Sequence, residues 1–275
     1  LKDRTVEIGA SDAPLSNEQI TSMPGKTLEF PTVVGAVAIT YNLPDVNGQL
    51  RLTGPVIAQI FMGKITKWND PALVKLNPSL KLPSQKITVI HRSDGSGDTY
   101  IFADYLSKVS QAWVKQVGKS TALRWPTGLG GKGNEGVTAL VKQTPYSIGY
   151  VTLIYALETH SPVAEVQNRD GKWIKPDLNA VTSAAAGAAK NMPSDFRVSI
   201  TDAPGADAYP ISSFTWMIIY QKQSDVKKGQ AVKGFLHWML VKGQSDAAAM
   251  NYAPLPQSVV KLELKQLNKI QIASP

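Results

Sequence analysis

The 275 residues are enough for one large domain or two ordinary ones, and with 43% hydrophobic and 18% charged residues the chain builds a packed core, which excludes global disorder. The absence of cysteine excludes disulfides, thiolate metal ligands and a cysteine nucleophile. A formal net charge of +8 admits nucleic acid, an anionic surface or an anionic ligand as partner, but lysines and arginines occur in runs no longer than two, so a solvated basic surface is favoured over a nucleic-acid patch. No stretch approaches the length needed to cross a bilayer, and the opening LKDR does not read as a signal peptide.

Strand and helix signals alternate along the chain, which predicts an α/β fold. Residues 5–10 read as a short strand that ends at Ser11 and Asp12. A helix follows, with Ser16 and Gln19 at capping-box spacing, so Asp12 falls where a strand hands over to a helix. Ligands of open α/β sheets bind at such carboxyl ends. Residues 30–42, FPTVVGAVAITYN, form a long apolar strand; 56–62 read as helical, and Asn69-Asp70-Pro71 caps a helix running to Leu76. Residues 87–92 are a strand, followed by the loop Ser93-Asp94-Gly95-Ser96-Gly97 and a helix with apolar positions at Ile101, Phe102, Tyr105 and Leu106. Residues 128–136 read as a glycine-rich turn before a helix through Val137, Leu140 and Val141, and 147–153 as a strand. Residues 163–175 form a hairpin turning at Asp170-Gly171, 180–190 a helix, and 210–220 a second long apolar strand. The remainder is helical over 226–241, 246–251 and 256–270.

The segment HRSDGSGDTYIF, 91–102, carries the most chemistry. Gly95 and Gly97 let the backbone turn tightly and approach a ligand. The amides of Ser96, Gly97 and Asp98 then lie at a helix N-terminus, where unpaired N–H groups and the helix dipole attract an anion, and the Ser96 hydroxyl adds a donor. Arg92 offers a fork of donors suited to a tetrahedral oxyanion, and Asp94 is near enough in sequence to hold it. Against this stands an ordinary capped helix with a surface ion pair, and for the segment alone the two readings are even. A calcium loop fails, because its sixth position is Thr99 and its twelfth Tyr105. A nucleophile elbow fails for want of G-x-S-x-G, and His91 is expected to point away from Arg92 along the strand. The run GLGGKGNEG, 128–136, matches G-x-G-x-x-G twice, which is weak, and it departs from the Walker pattern; a tight turn lining a cleft is the favoured role. His91, His160 and His237 are far apart without ligand spacing, so neither a metal site nor a catalytic group is expected.

Taken in order, GASDAPLS (9–16), FPTVVGAVAITYN (30–42), FMGKITKWNDPALVKLNP (61–78), HRSDGSGDT (91–99), GLGGKGNEGV (128–137), IGYV (148–151), YPISSFTW (209–216) and YAPLPQSVV (252–260) make the chain resemble the periplasmic phosphate-binding proteins of high-affinity phosphate ABC importers. The resemblance covers nearly the whole chain. It implies a type II periplasmic-binding-protein fold: two α/β lobes joined by two crossing strands, closing over the ligand. The first lobe would be discontinuous, 1–34 plus 209–275, and the second would be 35–208. By motif, Asp12 accepts a hydrogen bond from a protonated phosphate oxygen, Arg92 supplies charge-assisted donors, Asp94 steadies it, and Ser96 and Gly97 donate from the helix N-terminus. Asp98 stands where family members carry threonine; its carboxylate is expected either to accept a second phosphate proton or to turn outward and leave its amide in the site.

The resemblance implies a monomeric receptor that takes inorganic phosphate and delivers it to an ABC-transporter membrane permease, without cofactor or nucleic acid, in the periplasm or an equivalent extracytoplasmic space, with or without a lipid anchor. Family members begin with a further strand and helix bearing a GAGATFP-like loop and a serine-rich turn that donate to phosphate. The expectation is therefore a first lobe short of one core strand and a site short of those donors. Phosphate keeps a proton at neutral pH where sulfate keeps none, so a buried Asp12 carboxylate selects phosphate by hydrogen bonding and repels sulfate. The competing functions are a receptor for another oxyanion such as sulfate or molybdate, a phosphoesterase built on a related cradle, and an adhesion or signalling module that retained the fold.

Overall fold

The computed structural model describes residues 1–189 and 191–273. Eleven strands occur among the described residues: β1 (Gly9–Ser11), β2 (Thr27–Asn42), β3 (Arg51–Leu52), β4 (Thr88–Arg92), β5 (Leu129–Gly131), β6 (Ser147–Thr152), β7 (Glu165–Gln167), β8 (Trp173–Ile174), β9 (Ser212–Tyr220), β10 (Lys222–Gln223) and β11 (Gln271–Ile272). The helices are α1 (Asn17–Thr21), α2 (Gly54–Phe61), α3 (Pro71–Leu76), α4 (Gly97–Val109), α5 (Gln111–Gln116), α6 (Gly133–Gln143), α7 (Leu153–Glu158), α8 (Leu178–Ala189), α9 (Val226–Val241), α10 (Gln244–Ala247) and α11 (Gln257–Leu267). The α8 reading extended to Lys190, which lies outside the described residues.

One sheet of six strands, in the order β1-β9-β2-β6-β4-β5, carries the architecture. Its spine is β2, sixteen residues rich in β-branched and aromatic side chains and buried along most of its length. The first part of β2 pairs antiparallel with β9, from Thr27↔Tyr220 to Ala36↔Ser212. The last part pairs antiparallel with β6, from Val37↔Thr152 to Asn42↔Ser147. A single strand thus leaves one set of partners and enters another. The register shift between Pro31 and Val33 falls where proline has no N–H to give a ladder.

Beyond β6 the sheet is parallel: β4 pairs with β6 and with β5, so Arg92, Gly131 and Thr152 end their strands on the same side. The helices α4, α6 and α7 follow those three ends: α7 at once, α6 after Lys132, and α4 after the loop 93–96. Phe102 and Tyr150 stack at 4.5 Å in the core beneath α4, joined by the fully buried Trp113.

Three sequence readings are corrected. The strand expected over 5–10 shrinks to Gly9–Ser11, because only those residues pair with β9, and Val6 is 46% exposed. The glycine run at 128–136 is not only a turn: β5 occupies its middle. A Cβ on Gly131 would lie 2.6 Å from the Val137 amide nitrogen, so the composition reflects close strand–helix packing. The strand expected to reach Leu153 stops at Thr152, where α7 begins. The capping box of α1 is present, with Ser16 accepting from the Gln19 amide and the Gln19 side chain accepting from the Ser16 amide.

Candidate anion-binding site

Arg92 closes β4. Its Nε and Nη2 donate to the two carboxylate oxygens of Asp94 at 2.8 and 2.6 Å, and Nη1 donates to Asp98 at 3.1 Å. Three of its five N–H bonds are engaged, leaving one on each terminal nitrogen for a further acceptor. The bidentate pair fixes the plane of the guanidinium, and the Arg92 side chain is 10% exposed. Asp94 also accepts the Gly133 amide from the start of α6 at 3.1 Å. The hydrogen bond from Arg92, with the Gly133 amide and the guanidinium charge, holds the Asp94 carboxyl well below the ordinary carboxylate range, although its partial burial works the other way.

Ser96 caps α4, its Oγ accepting from the Thr99 amide at 3.3 Å. Its own amide is not offered to a ligand as the sequence suggested, because it donates to Thr121 O at 2.9 Å. Ser96 therefore contributes its hydroxyl hydrogen. The amides of Gly97 and Asp98 open the helix, ahead of its first intrahelical bond from Tyr100 to Ser96, and find no acceptor among the described residues at the positive end of the dipole.

Asp98 does not turn outward. It is buried, and its carboxylate takes hydrogen bonds from Arg92, from Asn134 Nδ2 at 2.9 Å and from Thr152 Oγ1 at 2.8 Å. Burial pushes this carboxyl up; the donors Asn134 and Thr152 oppose it, as does Arg92, while the charge of Asp12 adds to the rise. The side chain is built into the floor of the site because β4 and β6 end around it with Arg92 and Thr152, and α6, which follows β5, supplies Asn134.

Asp12 approaches from the other half of the sheet. Thr215, on β9, donates to its Oδ1 at 2.6 Å, and Ser213 Oγ donates to its backbone carbonyl at 3.3 Å. The side chain lies against α4: a Cβ on Gly97 would sit 2.7 Å from Asp12 Cβ and 2.9 Å from Oδ2. Among the described residues no protein donor reaches Oδ2. The structure therefore brings together Asp12, Arg92, Asp94, Ser96, Gly97 and Asp98.

Sequence reading missed Asn134, Thr152 and Thr215. Asn134 and Thr152 grip each other twice, through Asn134 Nδ2 to Thr152 Oγ1 at 2.9 Å and the Thr152 amide to Asn134 Oδ1 at 3.0 Å. Asn134 was within reach, since it occupies the helix start after the glycine run that was expected to line a cleft. Thr152 and Thr215 carry no local signal. His91 stacks on Trp125 at 4.7 Å, with burial lowering its pKa, and takes no part in the site. The arrangement has fixed donors and one free carboxylate oxygen, suited to hold a partly protonated oxyanion.

The family model of the PBP superfamily domain matches residues 1–242. The chain is 42% identical over 262 residues to the phosphate-binding protein PstS of Xylella fastidiosa, covering 95% of this chain and 71% of that protein. It is 40% identical over 271 residues to PstS of Haemophilus influenzae, covering 96% and 80%. Among solved structures it is similar to a high affinity periplasmic phosphate-binding protein, PfluDING, bound with phosphate at pH 8.5, with a TM-score of 0.73 at 21% identity over 95% of this chain and 78% of that one. It is also similar to a phosphate binding protein from Stenotrophomonas maltophilia, with a TM-score of 0.68 at 21% identity over 94% and 78%. The fold is the type II periplasmic-binding-protein fold, and the chain belongs to the PBP superfamily and, within it, to the PstS phosphate-binding proteins.

Proposed function

We propose that this protein binds inorganic phosphate with high affinity and delivers it to the membrane permease of an ABC importer. The observation that carries the reading is the facing pair of walls. One presents Arg92 with two remaining N–H bonds beside the Gly97 and Asp98 amides, and the other presents Asp12 with an uncommitted carboxylate oxygen. Asp12, Arg92, Ser96, Gly97 and the Asp98 amide hold the anion, and Asp94 orients Arg92. The lobes are 1–34 with 209–275, and 35–208; the change of partners of β2 at Ala36 and Val37 supports that division. The protein acts as a monomer in the periplasm or an equivalent extracytoplasmic space and performs no chemistry on its ligand.

The test is calorimetric titration of the ligand-stripped protein with phosphate, with sulfate as control. Saturable binding at or below about micromolar, equivalent to about −8 kcal/mol, with no sulfate heat, is expected. Absence of phosphate heat, or equal heats from both anions, overturns the reading. Hydrolysis of a p-nitrophenyl phosphate ester that is lost in Arg92→Ala overturns the claim that it performs no chemistry.

A further inference from the structure

The segment 191–202, between α8 and β9, lies within 35–208 and supplies no residue to the site, yet it binds the back of both walls. Arg197 reaches the loop that carries Asp12. Its Nη1 donates to Leu15 O at 3.0 Å and to Asn17 Oδ1 at 2.9 Å. Asp195 holds the Arg197 Nε at 2.9 Å and accepts the Arg197 amide at 3.2 Å. The Leu15 amide donates to the buried Glu29 at 3.2 Å, so one residue, three past Asp12, is held through its carbonyl by Arg197 and through its N–H by Glu29. Phe196, with φ of 59°, turns its carbonyl to Trp216 Nε1 at 2.9 Å, which fastens the segment to β9.

A few residues on, the same segment is fastened to α4. The Ser199 and Thr201 hydroxyls donate to Asp104 Oδ2 at 2.5 and 2.6 Å. Lys108, one turn along α4, donates to Ser199 Oγ at 2.8 Å and to Thr201 O at 2.7 Å. Asp104 is nearly inaccessible and takes Lys119 Nζ at 2.8 Å on its other oxygen. The helix held in this way is the one whose N-terminus presents Gly97 and Asp98.

We propose that residues 195–201 are a tie between the two walls of the anion site, and that Arg197 is a positioning residue that holds the Asp12 loop in register with α4. A guanidinium whose Nη1 meets a carbonyl and a side-chain amide oxygen while Nε is held by Asp195, on a segment whose next hydroxyls seat in a buried carboxylate, couples the two walls without touching the ligand. Breaking the tie leaves the donors in place and lets the walls part. This rests on the phosphate-receptor reading for its ligand readout, and the test separates the two.

The chain has no cysteine, so a nitroxide pair can be placed at Lys75→Cys and Lys265→Cys, both exposed and on opposite lobes. In Arg197→Ala the ligand-free distance distribution should broaden toward longer separations. Phosphate should dissociate about tenfold faster or more, with the association rate within about twofold of the wild type. Arg197→Lys, which keeps the charge without the fork, should restore release only in part. Ser199→Ala with Thr201→Val cuts the other end and should reproduce the effect, which keeps the test open if Arg197→Ala folds poorly. Wild-type distances and wild-type release in both variants overturn the tie. So does a lowered melting temperature with unchanged release, the mark of a loop that only supports the fold. Absence of phosphate binding by the wild type refutes the receptor reading, while the distances still decide the tie.

Discussion

Asp12 and Gly97 touch across the site: a Cβ added to Gly97 would lie 2.7 Å from the Cβ of Asp12. Neither partner has room to give, since Asp12 is held by Thr215 and Gly97 is the first residue of α4. Gly97→Ala should therefore displace the carboxylate, weakening phosphate binding by about tenfold or more at nearly unchanged melting temperature, because the change sits at the mouth of the site and not in the core. Asp12→Asn separates chemistry from packing. It keeps the size and removes the charge, so it should weaken phosphate and relieve the repulsion of sulfate, narrowing the phosphate-to-sulfate ratio by about 10² or more. Titration of both variants with both anions reads this out. An unchanged ratio in Asp12→Asn removes Asp12 from the selectivity argument.

Asp98 shares Arg92 with the incoming anion. Its carboxylate is held by three donors and cannot swing away, so the negative charge stays beside the ligand whenever it is ionised. Asp98→Asn removes that charge and returns Arg92 Nη1 to the ligand. Phosphate should bind more tightly to the variant, and the gain should be greater at pH 8, where phosphate is chiefly a dianion, than at pH 6. Calorimetry at the two pH values decides; a gain independent of pH, or a loss at both, shows that Asp98 acts only as scaffolding.

The sequence made one wall of the site legible and left most of its support unread. Ser96 announces itself as a cap, Gly97 as a close approach, and Arg92 with Asp94 as a neighbouring pair, because each rests on contacts within a few residues. Asp98 could be named but not placed. Its environment is set by Asn134, 36 residues on, and by Thr152, 54 residues on, which arrive only because β4, β5 and β6 run parallel and end together. Thr215 is 203 residues from the Asp12 it holds, and an isolated threonine in an apolar strand carries no mark of that duty. The long strands 30–42 and 210–220 were visible from their β-branched run, whereas the three-residue β1 was misjudged because its length is set by what β9 leaves unpaired.

Glu263 is a stability liability that the fold tolerates. It is fully buried in α11, both carboxylate oxygens lack a hydrogen-bond partner among the described residues, and burial raises its pKa well above the ordinary value. Glu263→Met replaces the unsatisfied acid with an apolar side chain of similar volume and should raise stability by about 1–3 kcal/mol. Urea unfolding at pH 7 measures it; a lower midpoint shows that the acid has a partner which the variant deprives.

Glu29 ties pH to the rigidity of the Asp12 loop. It is buried on β2, accepts the Leu15 amide, and burial pushes its carboxyl up to about 7. A carboxyl raised in the folded state holds its proton more tightly there than in the unfolded chain. Its contribution to stability is thus complete below about 4.5, the ordinary value, and is lost as pH rises through about 7. Glu29→Gln keeps an acceptor for Leu15 and cannot ionise. The variant should match the wild type near pH 4.5 and exceed it above pH 7 by a few kcal/mol at most, at about 1.4 kcal/mol per pKa unit. Denaturant unfolding of both proteins across that range gives the difference directly. A gap that stays constant with pH means that Glu29 ionises alike in the folded and unfolded chain, and the loop is then held by Arg197 and the capping box without help from this carboxyl.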